Sequence, residues 1–210
     1  MRASLVAATS AIFGALAAVL AVLPLSFPFP LIPYLRFEVA EIPVVIAFLG
    51  FGPLPGIVSA LTYWGVLTLV GEFTPIGPAM KFLAVASMLL GLWVGFKLSK
   101  NSYRLGLTLG FLFGSLLRVL TMTAANYVIL HYLFPEFLDY AIQALSASLG
   151  IQFGCLGTAF TLILIFTAVF NILHMMLSLF PSLFLLNCMV KDGLFLNFKK
   201  PWIRSILRKG

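Results

Sequence analysis

Long, continuous apolar runs constrain the fold of this 210-residue chain more than any other feature of its sequence. Hydrophobic residues make up 62% of the chain and charged residues 9%, and the mean hydropathy is +1.13. A soluble domain carries roughly a quarter charged residues, so this chain has too little polar surface to fold in water. A membrane-spanning helix needs about 20 apolar residues, whereas barrel strands alternate over about ten. The runs therefore predict an all-α integral membrane protein.

The first apolar run, at residues 5–23, raises the question of whether the N-terminus is a cleaved signal peptide. The run is longer than the roughly 7–15 residues of a signal-peptide core, and prolines follow it where a small-residue cleavage site would be needed. We therefore expect a retained helix. The alternative, a cleaved signal, would leave five spans.

Six apolar runs predict a six-transmembrane-helix bundle. The second run is short for a full crossing, and the Gly-Pro-Leu-Pro-Gly turn at 52–56 joins it tightly to the third. We assign residues 1–190 to one transmembrane domain and residues 191–210 to a basic cytoplasmic tail. The predicted spans are residues 4–24, 40–52, 54–70, 76–97, 104–132 and 158–189.

Basic residues are distributed asymmetrically, which predicts the orientation of the chain. With the N-terminus inside, ten of the thirteen Lys and Arg residues fall at the N-terminus, in the loop at 97–104 or in the tail. Cytoplasmic loops are enriched in Lys and Arg, so we expect a multi-pass cell-membrane protein with both termini in the cytoplasm. The formal charge of +7 is thus a topology signal and does not indicate nucleic-acid binding; the tail at 201–210 is suited to lie along anionic headgroups. The residues expected outside are Glu38, Glu41, Glu72, Glu136 and Asp139, with Arg36 and Lys81.

The segment at residues 24–33 contains too many prolines to continue a helix. It follows the first span on the outer side and is apolar and aromatic, with Phe27, Phe29 and the nearby Tyr34. Such a loop either embeds in lipid or folds over the bundle. We expect an outer loop between helices 1 and 2 that covers a site.

Polar residues inside the spans are the candidates for that site, because they are costly in hydrocarbon and usually functional. Asn171 and His174 are three residues apart on the last span and share a face. Asn126, followed by Tyr127, lies at a similar depth in the fifth span. These residues predict an outward-facing polar pocket, although Asn and His also join packed helices. Arg118, deeper in the fifth span, either is structural or reaches towards a polar partner.

The first predicted helix carries small residues on one face. Ala7, Ala11 and Ala15 recur at every fourth position, with Ser10 and Gly14 beside them. Small residues let another helix backbone approach closely. The pattern favours a docking surface for another protein, with ordinary packing inside the bundle as the alternative.

Enzyme signatures are missing from the sequence. It has no HExxH, GxSxG or Walker A motif, and with two histidines and six acids it has little catalytic equipment. Cys155 and Cys188 flank the last span and are expected near opposite membrane faces, too far apart for a disulfide. We therefore expect a protein that binds a ligand without catalysis, with no metal and no cofactor.

Residues 34–43, Tyr-Leu-Arg-Phe-Glu-Val-Ala-Glu-Ile-Pro, are similar to the signature of a known family. The segment resembles the Y-L-K-x-D-F-S-D-I-P motif of substrate-binding S components from energy-coupling factor (ECF) vitamin transporters, above all their riboflavin-binding branch. The Gly-Pro turn at 52–56, Asn126-Tyr127 and the sequence Phe-Asn-Ile-Leu-His at 170–174, where the family has F-N-x-x-K, extend the resemblance. It runs from the first helix to about residue 186.

The resemblance implies a membrane-embedded S component that captures riboflavin from outside for ATP-driven uptake. Because the chain has no P-loop, its expected partners are a transmembrane coupling subunit and two ABC ATPases, besides the vitamin and membrane lipid. The face with Ala7, Ala11 and Ala15 matches the surface on which S components dock to the coupling subunit. The substrate-binding residues that the resemblance implies are Leu35, Arg36, Glu38, Glu41, Asn126, Tyr127, Asn171 and His174.

Some departures from the family signature matter for the choice of ligand. Ala40 replaces its Ser, Glu38 and Glu41 replace its two Asp residues, and His174 replaces the Lys of F-N-x-x-K. That Lys lies close to the ligand in the riboflavin branch. One alternative is therefore an S component for another small vitamin, and a second is a membrane interaction protein without a ligand. We expect the His174 imidazole to be neutral, because its sequence neighbours supply no counter-charge.

Overall fold

The computed structural model describes residues 3–23, 25–70, 74–99, 102–192 and 201–207, most of which are helical. Its helices are α1 Ala3–Val22, α2 Glu41–Phe51, α3 Pro53–Val70, α4 Ile76–Leu98, α5 Tyr103–Val128 with a π-helical turn Ile129–Leu133, α6 Pro135–Leu149, α7 Leu156–Lys191 and α8 Trp202–Leu207; its strands are β1 Ser26–Phe29 and β2 Ile32–Glu38. The described part does not include Pro24, Glu72 or six of the ten basic residues that predict the orientation, which are Arg2, Lys100, Lys199, Lys200, Arg208 and Lys209.

Five helices of the described residues are long and apolar enough to cross a membrane: α1, α3, α4, α5 with its π-helical turn, and α7. This confirms a mostly helical integral membrane protein. The second predicted span corresponds to α2, which has 11 residues and a length of about 16 Å, half of the ~30 Å hydrocarbon core. The predicted count of six spans is therefore not confirmed by length.

Gly52 and Pro53 explain why α2 is short. Gly52 adopts a φ of 110° and donates its N–H to the carbonyl of Phe48 at 2.9 Å, which ends the helix. Pro53 then begins α3. Nine of the 11 residues of α2 are buried among α1, α3 and α7, so neighbouring helices, and not lipid, surround this apolar segment. Its first residue, Glu41, lies inside the bundle.

The proline-rich segment forms a β-hairpin, which the sequence analysis did not predict. β1 and β2 pair antiparallel, with Phe27 opposite Phe37 and Pro28 opposite Arg36. Each strand of a two-stranded hairpin has a free edge, so a proline without an N–H is tolerated. The hairpin packs onto α6 and α7 through a buried cluster of Phe29, Ile32, Phe37, Leu138, Leu145, Ile163 and Phe170.

α6 fills an interval of the chain for which the sequence analysis predicted no element. Pro135 occupies its first turn, and Gly150, with a φ of 68°, ends it. Leu138, Ala141 and Leu145 are buried at helical spacing and face the hairpin side of the bundle. A search for long apolar runs misses such a helix because it has 15 residues and one apolar stripe.

The helices α4 and α5 pack in close contact, which determines where Arg118 lies in the bundle. A Cβ added to Gly91 of α4 would lie 2.3 Å from the carbonyl oxygen of Phe113 on α5, so no side chain fits between these backbones. The approach brings Arg118, further along α5, beside Met88 of α4, whose sulfur lies 3.5 Å from Nη1.

Candidate functional site

Arg118 is the centre of a buried hydrogen-bond network between α2, α5 and α7. The residue is 1% exposed. Its Nε donates to Oδ1 of Asn171 at 3.1 Å, and Nη1 and Nη2 donate to the two carboxylate oxygens of Glu41 at 2.7 and 2.8 Å. The remaining N–H groups face Nδ1 of His174 at 3.1 Å and the sulfur of Met88. Each N–H of the guanidinium thus has a partner, and Arg118 fixes three other polar side chains.

Glu41 balances the charge of Arg118. It lies in the first turn of α2, where the helix dipole favours a carboxylate. It also accepts a hydrogen bond from the hydroxyl of Ser178 on α7 at 2.7 Å. A buried ion pair is tolerated when its remaining donors and acceptors are satisfied, and those of this pair are. The pair therefore joins three helices without leaving a charge uncompensated.

The hydrogen-bond partners of His174 determine its tautomer. Arg118 can only donate, so Nδ1 of His174 accepts and carries no proton. Nε2 lies 3.1 Å from the carbonyl oxygen of Glu38 and donates to it. This pattern of contacts corresponds to a neutral imidazole, while the carboxylate of Glu41, 3.7 Å from Nε2, is a counter-charge that the sequence neighbours do not supply. His174 thus links the Arg118 network to the end of the hairpin.

Glu38 forms a second, outer layer of polar contacts. Its side chain accepts from Lys81 of α4 at 2.5 Å and from the hydroxyl of Tyr63 of α3 at 3.3 Å. The side chain of Lys81 is 39% exposed and that of Glu38 is 14% exposed, whereas Arg118 is buried. Polar side chains therefore extend from the surface to the centre of the bundle. His174 contacts a residue of each ion pair, Arg118 through Nδ1 and the backbone of Glu38 through Nε2.

Aromatic rings from the hairpin and α7 lie beside this network. The ring centroid of Phe37 is 4.7 Å from that of Phe170 and 5.7 Å from that of His174. Phe29 lies 5.8 Å from Phe170 on the same side. Such a cluster next to neutral hydrogen-bonding groups is chemically suited to a planar heteroaromatic molecule.

The structure brings together four of the eight residues that were expected to bind a substrate: Glu38, Glu41, Asn171 and His174. Leu35 is partly buried against the hairpin cluster, and Arg36 is exposed and bonds to Ser26 across the hairpin at 3.0 Å.

The other two expected residues, Asn126 and Tyr127, lie near the C-terminal end of α5. Asn126 donates to the carbonyl of Met122 in its own helix at 2.8 Å, and Tyr127 is exposed and stacks on His131. Within the described residues, no hydrogen bond connects these two to Arg118.

Several residues of the network were not assigned from the sequence. Arg118 was left without a role because Glu41 lies 77 positions away. Tyr63 and Ser178 resemble many other hydroxyl residues of membrane helices. Lys81 could have been found, because its expected outer position already placed it on the same side as Glu38.

The described residues contain no group of three His, Cys, Asp or Glu side chains that could hold a metal. Cys155 and Cys188 are both free and lie at opposite ends of α7. The contacts described for the network are hydrogen bonds and ion pairs, and neither cysteine takes part in them.

The small residues of α1 divide between two faces. Ala7, Ala11 and Ala15 are exposed. Gly14 and Ser10 are buried against α3, where Ser59 donates to the carbonyl of Ser10 at 3.3 Å. The alanine face is therefore not used for packing against the described part of the chain.

A family model described as the substrate-specific component of ECF transporters matches residues 6–185. The chain belongs to this family. S components are transporter subunits and not enzymes, and this membership confirms the resemblance seen in the sequence. It also agrees with a multi-pass location in the membrane.

Two curated relatives of this S component are 32% identical to it. They are the riboflavin transporter RibU of Staphylococcus aureus (strain TCH60), over 107 residues, and the riboflavin transporter FmnP of Bacillus subtilis (strain 168), over 110 residues. Each match covers 50% of this chain and spans little more than half of the relative, 56% and 57%.

A solved S component of a bacterial ECF transporter has the same fold. The two structures align with a TM-score of 0.68 at 24% identity, over 93% of this chain and 99% of the other. The two chains therefore share their overall fold.

Proposed function

We propose that this S component captures riboflavin at the outer face of the cell membrane for ATP-driven uptake. The observation that carries the proposal is its similarity to two riboflavin transporters. The site geometry supports it, because neutral hydrogen-bonding groups and aromatic rings lie together beneath the hairpin. The isoalloxazine of riboflavin is planar and carries carbonyl and N–H groups, so it suits such a surface.

The hairpin controls access to the site in this proposal. Its last residue, Glu38, bonds to His174 through the backbone and to Lys81 and Tyr63 through the side chain. Movement of the hairpin away from α7 would release Nε2 of His174 and separate Phe37 from Phe170. The ligand would take up these contacts, while the Arg118–Glu41 pair beneath keeps Asn171 and His174 in place.

Transport requires partners that supply energy. We propose a transmembrane coupling subunit and two ABC ATPases, with Ala7, Ala11 and Ala15 as the docking face and both termini in the cytoplasm. The exposure of these alanines in the isolated chain supports a surface for another protein. Small residues allow close helix approach without a side chain between the backbones.

A second candidate is an S component for another small planar vitamin. The observation that favours it is His174, where the riboflavin branch has a lysine. Native mass spectrometry of the protein purified from its host identifies the co-purified ligand by mass. Ligand-induced thermal stabilisation in detergent then ranks riboflavin against other vitamins. The absence of both a bound mass and any stabilisation would favour an interaction protein without a ligand.

Alanine at Asn126, Asn171 and His174 is expected to weaken riboflavin binding. Loss of one hydrogen-bond partner at a buried site costs about 1–3 kcal/mol, which is roughly a five- to 150-fold loss of affinity for each residue. Asn187→Ala is a matched control, since Asn187 is an exposed residue near the opposite end of α7 from the hairpin. Unchanged affinity in the triple variant would show that the site or the ligand is wrong.

Riboflavin affinity is expected to hold or rise as the pH increases from about 5.5 to 8, across the ordinary pKa of about 6.5 for imidazole. Protonation at Nδ1 would remove the acceptor of Arg118 and place a second cation beside it. The binding-competent form is therefore the neutral one, which is favoured at higher pH. Fluorescence quenching of the flavin measures this profile, and His174→Gln, which cannot titrate, provides the control. A loss of affinity with rising pH that the Gln variant lacks would contradict the neutral assignment.

A further inference from the structure

We propose that the cleft between α8 and the C-terminal end of α7 binds the headgroup of an anionic phospholipid. The proposal adopts the cytoplasmic orientation proposed above for this end of the chain, and it is independent of which vitamin is transported.

α8 is fixed to the bundle through its apolar side. Ile203 and Leu207 are 1% and 0% exposed, and Trp202 packs on Phe48 with ring centroids 5.3 Å apart. A Cβ added to Gly106 of α5 would lie 2.6 Å from a methyl carbon of Leu207, so Leu207 packs closely against Gly106. A helix held by three apolar contacts presents its polar residues in one fixed direction.

Arg204 is the polar residue that α8 holds over the cleft. Its Nη2 donates to Oδ1 of Asn187 on α7 at 2.8 Å, which fixes the guanidinium beside the cleft. Lys191, the last residue of α7, lines the same cleft. Within the described residues, no carboxylate forms an ion pair with Arg204 or Lys191, and this includes the neighbouring Asp192. Within the described residues, the two cations of the cleft therefore take part in no ion pair.

The lining of the cleft has a polar part and an apolar part. It encloses about 450 Å³. Two charged side chains and an amide lie at one end, and an aromatic ring lies at the other. The lining residues are Phe184, Asn187, Cys188, Val190, Lys191 and Arg204.

The position of the cleft along α7 matches the profile of a phospholipid. α7 has 36 residues and is about 54 Å long, so its ends extend beyond a ~30 Å hydrocarbon core into the headgroup region. Phe180 and Phe184, one turn apart, are 51% and 67% exposed. Asn187 and Lys191 continue this face towards the helix end. A lipid whose chains follow the phenylalanines would place its phosphate between Lys191 and Arg204.

The positive charge of the cleft determines which class of lipid fits it best. Basic residues near the membrane surface contribute about 1 kcal/mol each to the attraction of anionic lipids. A zwitterionic headgroup carries its own cation and gains less from Lys191 and Arg204. A soluble phosphate would gain nothing from the exposed Phe180 and Phe184. The cleft therefore fits an anionic phospholipid best.

The test uses the full-length protein, delipidated in detergent and titrated with phosphatidylglycerol or with phosphatidylcholine of the same acyl chains. Native mass spectrometry counts the bound lipids. We expect retention of phosphatidylglycerol in preference to phosphatidylcholine, and a loss of about tenfold or more in the double variant Lys191→Gln, Arg204→Gln. The double variant Lys191→Arg, Arg204→Lys should retain the lipid. Arg104→Gln removes an exposed cation at the start of α5, outside the cleft, and should have no effect.

Three results would overturn the proposal: equal retention of the two lipids, unchanged retention in the Gln double variant, or the same loss in Arg104→Gln. The apparent melting temperature of each variant shows whether it is folded. Riboflavin plays no part in these readouts, so failure of the lipid site and failure of the proposed transport function are distinguishable.

Discussion

Arg118→Met is expected to abolish riboflavin binding and to destabilise the folded protein strongly. Removal of one partner from a buried ion pair costs about 3–5 kcal/mol, because the other charge is left uncompensated. The charge left here is Glu41, which loses hydrogen bonds of 2.7 and 2.8 Å. Asn171 and His174 lose the same partner, so their side chains are no longer held for a ligand. The apparent melting temperature in detergent and a flavin fluorescence titration measure the two effects.

A second variant separates stability from binding. Replacement of a buried ion pair by apolar residues of similar size is often neutral for stability. The double variant Arg118→Met, Glu41→Leu should therefore recover much of the lost melting temperature but not the riboflavin affinity. Arg104→Met, on an exposed residue of the same helix, is the matched control. If Arg118→Met binds riboflavin as tightly as the wild type, or if the double variant restores binding, Arg118 does not organise the site.

Ala11→Trp is expected to stop uptake while riboflavin binding by the isolated protein is retained. Ala11 is exposed on α1, so an indole there is accommodated in the isolated chain but prevents another helix from approaching closely. Uptake by cells that express the whole transporter should fall to background, and the variant should fail to co-purify with a coupling subunit.

The control for the docking face is Leu120→Trp, which places the same side chain at a position 57% exposed on α5. It should leave uptake and assembly unchanged. If Ala11→Trp abolishes riboflavin binding by the isolated protein, the alanine face belongs to the internal packing of the bundle. If uptake continues normally with Ala11→Trp, the docking face lies elsewhere.

The long apolar runs were enough to predict most of the helices, because length and hydropathy alone determine which segments can cross a bilayer. The five helices of spanning length lie close to predicted runs, and α7 exceeds its prediction by two residues at each end. α2 coincides with the predicted run at 40–52, but its 11 residues are too few to establish a full crossing by length. α6 was not predicted, because it is held by contacts with a hairpin that is distant in the sequence.

The proline-rich composition of the hairpin prevented its prediction from the sequence. Prolines correctly excluded a helix at residues 25–33, but they also argue against a strand unless an edge is free. The pairing of Phe27 with Phe37 depends on burial of the neighbouring aromatic side chains against α6 and α7. No local pattern in the sequence indicates that burial.

Several residues of the candidate site were predictable from the sequence, but the contacts between them were not. Helical spacing placed Asn171 and His174 on one face, and the family signature indicated Glu38 and Glu41. The sequence did not indicate that Arg118 would join three of these four, since the contacts run between α2, α5 and α7. The structure therefore changes the interpretation of Asn171 and His174, whose acceptor atoms are held by Arg118 before any ligand arrives.

The central claim is that this S component binds riboflavin at the site beneath the hairpin. The most direct measurement is a fluorescence-quenching titration of the purified full-length protein with riboflavin, with the His174→Ala variant in parallel. We expect saturable binding of one riboflavin per chain in the wild type and an affinity reduced by about fivefold or more in the variant. No saturable quenching in the wild type, or identical curves for the two proteins, would contradict the account.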